Sequence, residues 1–316
     1  MKHKENRPSE SYMVNLNPIL NISNIKARLS LTFLILLLFL LDHMPQAASQ
    51  ELRKRAEVIE INIDKEPNVG DTLSFKIKKP GKSQPKVYFN KTKIPVFLLN
   101  DSWYRGLAPL SADLKPGKYQ LEVFYKNTVI REDVNVKETK YPVESLTLPK
   151  TVAALKASRI EKAAVGRALS IVSDKKLWSG KFLLPNNARQ STIYGVKRKI
   201  NGVISPSYFH KGLDFAGKEG STIKAPENGK VILAGLESKG FVVNGNCIFL
   251  DHGHGVTSAY LHLSSLLVKE GDFVNKGQVI GKVGSTGIAS GPHLHWGVYV
   301  LGKTVDPIGW TSMIID

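Results

Sequence analysis

The ten residues Gly291-Pro292-His293-Leu294-His295-Trp296-Gly297-Val298-Tyr299-Val300 decide how this chain reads. Pro292 punctuates the start of the run, and Trp, Val, Tyr and Val favour extended backbone. Successive side chains of a strand point to opposite faces, so His293 and His295 share a face and reach the same place. A strand can present a metal ligand and a catalytic base together in this way.

Working outward, residues 177–316 are rich in glycine and short β-runs. Gly229 to Leu233, Asn246 to Leu250, Val256 to Leu261, Phe273-Val274, Val279 to Val283 and Trp296 to Val300 are the strands expected there. No helical period survives over ten residues, so an all-β domain follows. Residues 141–176 differ: after Pro149, which suits a first helical turn, Leu155, Ile160, Ala163, Ala164, Leu169 and Ile171 recur at helical intervals. They predict one amphipathic linker helix that docks against a neighbouring domain.

In residues 50–140, Val58 to Ile63, Leu73 to Ile77, Lys86 to Phe89, Tyr119 to Tyr125 and Val129 to Val136 read as strands, with turns at Pro80-Gly81 and Pro116-Gly117. These predict a small β-sandwich. The run Leu114-Lys115-Pro116-Gly117-Lys118-Tyr119 resembles immunoglobulin-like modules of exported bacterial enzymes, which implies a spacer or wall-contacting role. The fold class is therefore mainly β, a sandwich and a linker helix preceding a larger β domain.

Residues 1–49 carry an address. The apolar run Leu29 to Leu41 follows Lys26 and Arg28 and precedes Pro45, Ala47, Ala48 and Ser49, the order of a secretory signal. A permanent span needs about 20 apolar residues. Cleavage near Ser49 and Gln50 is expected, an uncleaved anchor being the alternative, and membrane contact is confined to this leader. The rest of the chain then works outside the cytoplasm, in the periplasm, the cell envelope or the medium.

With 42% hydrophobic and 22% charged residues among 316, the chain can bury two ordinary cores. A net charge of +17 attracts polyanions. No helix-turn-helix, zinc-finger spacing or aromatic RNA-binding motif accompanies it, so nucleic acid is not expected as a partner; an anionic cell wall suits the charge. The single cysteine, Cys247, lies in an apolar run and reads as a small buried hydrophobe.

A second pair, His210-Lys211-Gly212-Leu213-Asp214, sets an imidazole and a carboxylate four residues apart. Pro206, Gly212 and Gly217 argue against a helix there, so a loop running into a strand is expected. Histidine nitrogens with a carboxylate oxygen in a set of three are typical of catalytic zinc, which keeps a fourth position open. Peptide hydrolysis also needs a proton acceptor and donor nearby, and His262 in Tyr260-Leu261-His262-Leu263 is a candidate beside His293. His252 and His254 read as part of a hairpin turn, and Gly284-Ser285-Thr286-Gly287 as a tight turn, since no lysine follows as a phosphate-binding loop requires.

His210 to Asp214, Tyr260 to Leu263, Gly284 to Gly287 and Gly291 to Trp296 stand in the order and at the separations of the lysostaphin and LytM-type zinc metallopeptidases, which the region from Trp178 to Trp310 resembles. The resemblance implies an antiparallel β-sheet or barrel-sandwich fold with a groove. It implies one zinc ion on His210, Asp214 and His295, with His262 and His293 flanking the attacked carbonyl. Which of the two is the general base the resemblance leaves open; His293 is favoured here, with His262 stabilising the oxyanion or protonating the leaving amine. Tyr260, Ser285 and Thr286 are groove candidates. The implied substrate is the peptide stems and cross-links of peptidoglycan. The alternative is a non-catalytic wall-binding or amidase-activating protein of the same fold, for which a damaged ligand set is expected, whereas here each ligand position is filled. Val268 to Gly281 also resembles half of a biotinyl or lipoyl carrier, but no lysine is displayed in a carrier's hairpin.

Overall fold

The computed structural model describes residues 59–78, 81–147, 156–313 and 315; the leader, Val58, Pro80, Pro149 and Leu155 lie outside the described residues. Eight strands come first: β1 (Ile61–Ile63), β2 (Thr72–Lys78), β3 (Lys86–Phe89), β4 (Thr92–Ile94), β5 (Val96–Asn100), β6 (Trp103–Pro109), β7 (Gly117–Tyr125) and β8 (Thr128–Val136). They pair as two four-stranded antiparallel sheets, β1-β2-β6-β5 and β4-β3-β7-β8. Alternation in β2 turns Leu73, Phe75 and Ile77 inward, and β7 turns in Leu121, Val123 and Tyr125. All six belong to one apolar cluster shared by the two sheets. Burying each contributes roughly 1.5–3 kcal/mol.

The sequence pattern did not announce β4, β5 or β6. Strand β6 lacks alternation because both of its faces are covered. Tyr104 and Ala108 join the sandwich core, while Leu107 belongs to the core of the C-terminal domain and Arg105 on the same face is 1% exposed. A strand buried on both sides loses its two-residue period. Gly106 has no room for a side chain, since a Cβ there would lie 2.1 Å from the Phe75 ring. The sandwich is therefore no detached spacer. Its Gly70 carbonyl accepts from the Asp306 N–H at 2.8 Å, and the Ala112 N–H donates to the Tyr194 hydroxyl at 3.0 Å.

In the segment from Tyr141 onward, whose helix was expected after Pro149, strand β9 (Val143–Leu146) lies before that proline, and the described residues beyond it hold helix α1 (Arg159–Leu169). Ser158 caps the helix, its hydroxyl accepting from the Glu161 N–H at 3.0 Å. The buried face is Glu161, Ala164 and Ala168, and Ile160 is 62% exposed. The two alanines let the helix approach Phe241, Cys247 and Phe249 closely, so of the expected stripe Ala164 and Leu169 dock while Ile160 turns to solvent. Ile171 lies beyond the helix end.

The C-terminal domain consists of β10 (Gln190–Thr192), β11 (Lys197–Ile200), β12 (Val203–Phe209), β13 (Leu213–Phe215), β14 (Thr222–Lys224), β15 (Gly229–Gly235), β16 (Asn246–Gly253), β17 (Val256–Leu266), β18 (Phe273–Val274), β19 (Val279–Val283), β20 (Leu294–Val300), β21 (Lys303–Val305) and helix α2 (Pro307–Ser312). The main antiparallel sheet runs β10-β13-β20-β17-β16-β15-β18, with β19 joining β14 to β17 and β21 beside β20. A three-stranded sheet, β12-β11-β9, leads into it, β9 lying parallel to β11. Trp178, Phe215, Tyr260, Trp296 and Trp310 fill the core beneath.

Candidate metal centre

Strand register assembles the site. In the β13–β20 ladder Asp214 stands opposite His295, and on the other side of β20 Leu261 stands opposite His295, which brings His262 alongside. His210 enters from the end of β12. Gly212 makes the close approach feasible: a Cβ there would lie 2.3 Å from the Trp296 carbonyl oxygen and 2.9 Å from His295 Nε2. Gly212→Ala is expected to push β13 off β20 and weaken metal binding at this candidate site at least tenfold although His210, Asp214 and His295 all remain, at an overpacking cost of about 1–3 kcal/mol. Competition against a chromophoric chelator measures this, and unchanged affinity would contradict it.

Three donor atoms converge. His210 Nε2 lies 2.9 Å from Asp214 Oδ1 and 3.0 Å from His295 Nδ1, and His295 Nδ1 lies 2.9 Å from Asp214 Oδ1. All three residues are buried. His210 Nδ1 donates to the Ile193 carbonyl at 2.8 Å, so the neutral ring turns an Nε2 lone pair towards a carboxylate and a second imidazole. Acceptor atoms packed in this way repel unless a proton or a cation lies among them, and the donor set fits zinc. Burial alone would raise the Asp214 carboxyl, but the two imidazoles against it outweigh that and hold it well below the ordinary carboxylate range. Burial lowers His295 to about 4 despite its hydrogen bond to Asp214.

His262 and His293 stand beside this triad, ring centroids 4.8 Å apart. Each has its Nδ1 donating to a backbone carbonyl, His262 to Thr286 at 2.8 Å and His293 to Gly291 at 2.8 Å. Both neutral rings therefore carry the lone pair on Nε2, and His293 Nε2 is 3.9 Å from Asp214 Oδ1. Burial, with His293 and His295 nearby, lowers His262 to about 3.

The structure does not bring together all the residues named from the sequence. Tyr260 is not a groove residue: it is fully buried, on the core side of β17, with its hydroxyl 2.8 Å from Ser258 Oγ. The Thr286 hydroxyl is committed to backbone, donating to the Leu263 carbonyl at 2.9 Å and accepting from the Asn246 N–H at 2.9 Å, so it is not available to a substrate. Ser285 is exposed on the same turn. His252 and His254 are buried and bonded elsewhere, and Cys247 is a core residue whose thiol burial pushes up to about 12.

Sequence reasoning missed Arg198, on β11, whose Nη2 lies 3.2 Å from Asp214 Oδ2. It holds the second carboxylate oxygen while Oδ1 faces the histidines. Its position 16 residues before Asp214 carries no periodic signal. Three residues beyond Asp214 a cavity of about 270 Å³ opens, lined among others by Asn186, Lys218, Ser221 and Lys224.

Comparison with known proteins agrees with this geometry. The model of Peptidase family M23 matches residues 208–307. A solved peptidase M23 from Pseudomonas aeruginosa is 27% identical, the match covering 78% of this chain and 95% of that one, with a TM-score of 0.59. The peptidoglycan DD-endopeptidase ShyA of Vibrio cholerae is 36% identical over 109 residues, 34% of this chain and 24% of ShyA. The murein hydrolase activator NlpD of Salmonella dublin is 39% identical over 99 residues, 31% of this chain and 25% of NlpD. The chain spans about a quarter of the length of the curated relatives it matches. The region matched by this family, residues 208–307, contains His210, Asp214, His262, His293 and His295, and this part of the chain is a peptidase M23 domain.

Proposed function

We propose that this protein is an exported zinc metalloendopeptidase that hydrolyses peptide cross-links of peptidoglycan. The observation that carries the reading is the convergence of His210 Nε2, Asp214 Oδ1 and His295 Nδ1 beside a second pair of imidazoles. Bound by that set, zinc supplies Lewis acidity, which favours deprotonation of water and polarises a peptide carbonyl. His293 is the general base: its Nδ1 proton is committed to Gly291 and Nε2 is ready to accept. Its side chain is 16% exposed, and its Nε2 lies 3.9 Å from Asp214 Oδ1, at the edge of the metal triad.

His262 presents the same tautomer from a more buried position. While neutral it has no proton on Nε2 to offer an oxyanion. It becomes a donor to the leaving amine only after taking a proton itself, which suits a transfer role. Peptidoglycan as substrate is supported by the similarity to ShyA, and export by the leader pattern of residues 26–49. The net charge of +17 suits an anionic wall.

The similarity to NlpD favours a second reading, activation of a separate amidase. Digestion of purified peptidoglycan separates the two. Zinc-loaded protein lacking residues 1–49 should release cross-link fragments identifiable by mass spectrometry, and a chelator should stop their release. Wall binding without fragments, together with stimulation of an added amidase, would replace the first reading by the second.

A further inference from the structure

Glu161 lies on α1, in the segment that joins the sandwich to the C-terminal domain, and is 1% exposed. As the third residue after the capping Ser158 it stands where a glutamate ordinarily reaches back to the N-cap N–H. It does not do so here. Its two carboxylate oxygens instead take two consecutive N–H groups of a different loop, Asn244 at 2.7 Å and Val243 at 3.2 Å. Among the described residues it has no ion-pair partner. A buried carboxylate is costly, and this one is spent on fixing two peptide groups.

The same two residues bear on a candidate catalytic histidine. The Val243 carbonyl, in the same peptide group as the Asn244 N–H, accepts from the Ile288 N–H at 2.9 Å, and the Asn244 carbonyl, one peptide group further on, accepts from the His262 N–H at 3.0 Å. His262 has φ of +65°, a conformation that a non-glycine residue keeps only where its surroundings enforce it. Its ring direction is set by Thr286, on the turn that the 243–245 loop packs against. Contact there is tight, because a Cβ on Gly245 would lie 2.4 Å from Thr286 Oγ1 and one on Gly287 would lie 2.4 Å from the Gly245 nitrogen. Ser158 adds a second clamp from the helix start, its hydroxyl donating to the Gly240 carbonyl at 2.7 Å.

We propose that Glu161 is a positioning residue for His262: by anchoring Val243 and Asn244 it steadies the Asn244 carbonyl that receives the strained His262 backbone N–H, and through the Val243 carbonyl on Ile288 and the packed 286–288 turn it holds the direction of the imidazole. The inference rests on the reading of His262 as part of a peptidase site. It places control of one proton-transfer residue in the helix that links the two halves of the protein.

The test uses the zinc-loaded full chain with ¹⁵N-labelled histidine. In Glu161→Ala, long-range ¹H–¹⁵N spectra should show His262 losing its fixed Nδ1–H pattern, while His210 and His295 keep their wild-type signals. Turnover of a cross-linked peptide should fall at least tenfold in kcat with KM within twofold, Glu161→Gln should lie between, and the exposed neighbour change Lys162→Ala should alter neither. His262 signals in Glu161→Ala that superimpose on the wild type would overturn the proposal. Should that variant fail to fold, Glu161→Gln is judged by the same spectral criterion. If the wild type cleaves no peptide, the peptidase reading falls and the spectra still decide whether Glu161 holds His262.

Discussion

Replacing His210 by alanine should remove zinc binding and peptide hydrolysis together. Loss of an outer partner of a metal ligand typically costs 10–100-fold in metal affinity, and His210 supplies a donor atom itself, so a loss on the order of a thousandfold or more is expected. The same variant should lose the stabilisation that zinc gives to the folded chain. At free zinc a thousandfold above Kd that stabilisation is about 4 kcal/mol. At roughly 2–4 °C per kcal/mol for a domain of ordinary to large size, the wild type should gain about 8–16 °C in Tm on zinc addition and the variant close to none. Calorimetry with and without zinc reads this directly. A His210→Ala protein that still takes up zinc and still hydrolyses peptide would remove His210 from the ligand set.

Arg105→Ala should be the most destabilising change remote from the metal. The Arg105 guanidinium, 1% exposed, donates to the Ile315 carbonyl at 3.1 Å and to His254 Nδ1 at 2.9 Å, and lies 4.8 Å from the centre of the Trp178 ring. His254 Nε2 donates to the Asp174 carbonyl at 2.7 Å, which leaves Nδ1 as an acceptor for the arginine. Burial, and then Arg105 itself, lowers His254 to about 4, so the ring stays neutral and the pairing is compatible. Phe97 stacks on His254 with centroids 4.0 Å apart, and the Trp178 indole N–H donates to the same Ile315 carbonyl at 3.2 Å. Alanine leaves the buried His254 Nδ1 without its donor, reduces the Ile315 carbonyl to the Trp178 N–H alone and opens a cavity between the sandwich and the C-terminal domain, together about 3–5 kcal/mol. The expected fall in Tm is about 10 °C or more, with zinc affinity of the folded protein unchanged. Arg105→Met restores the aliphatic volume and should recover only part of the loss. A Tm within 3 °C of the wild type for Arg105→Ala would show that the two halves do not depend on this junction.

How much was legible in the sequence differs from element to element. Strands buried on one face, such as Leu73 to Ile77, or in long apolar runs, such as Asn246 to Leu250, declared themselves through period and composition. Strand β6 did not, because Arg105 and Leu107 are covered by a domain that follows it by many residues. The helix was visible, but its docked face only in part: Ala164 and Leu169 of the expected stripe pack on the domain, whereas Ile160 is exposed and Ala168, outside that stripe, makes contact. At the site, His293 and His295 were legible because two residues of a strand share a face. His210 and Asp214 were legible as a pair without a shared direction.

The sequence by itself determined a mainly β chain and the residue types of a metal site, since alternation and spacing are local properties of the backbone. Only the tertiary structure decided that Asp214 stands opposite His295, that Arg198 and Glu161 serve residues far from them in sequence, and that Tyr260 belongs to the core. Register between strands and the burial of a given face depend on which distant segment arrives to cover them. Neither is encoded in a single stretch of residues.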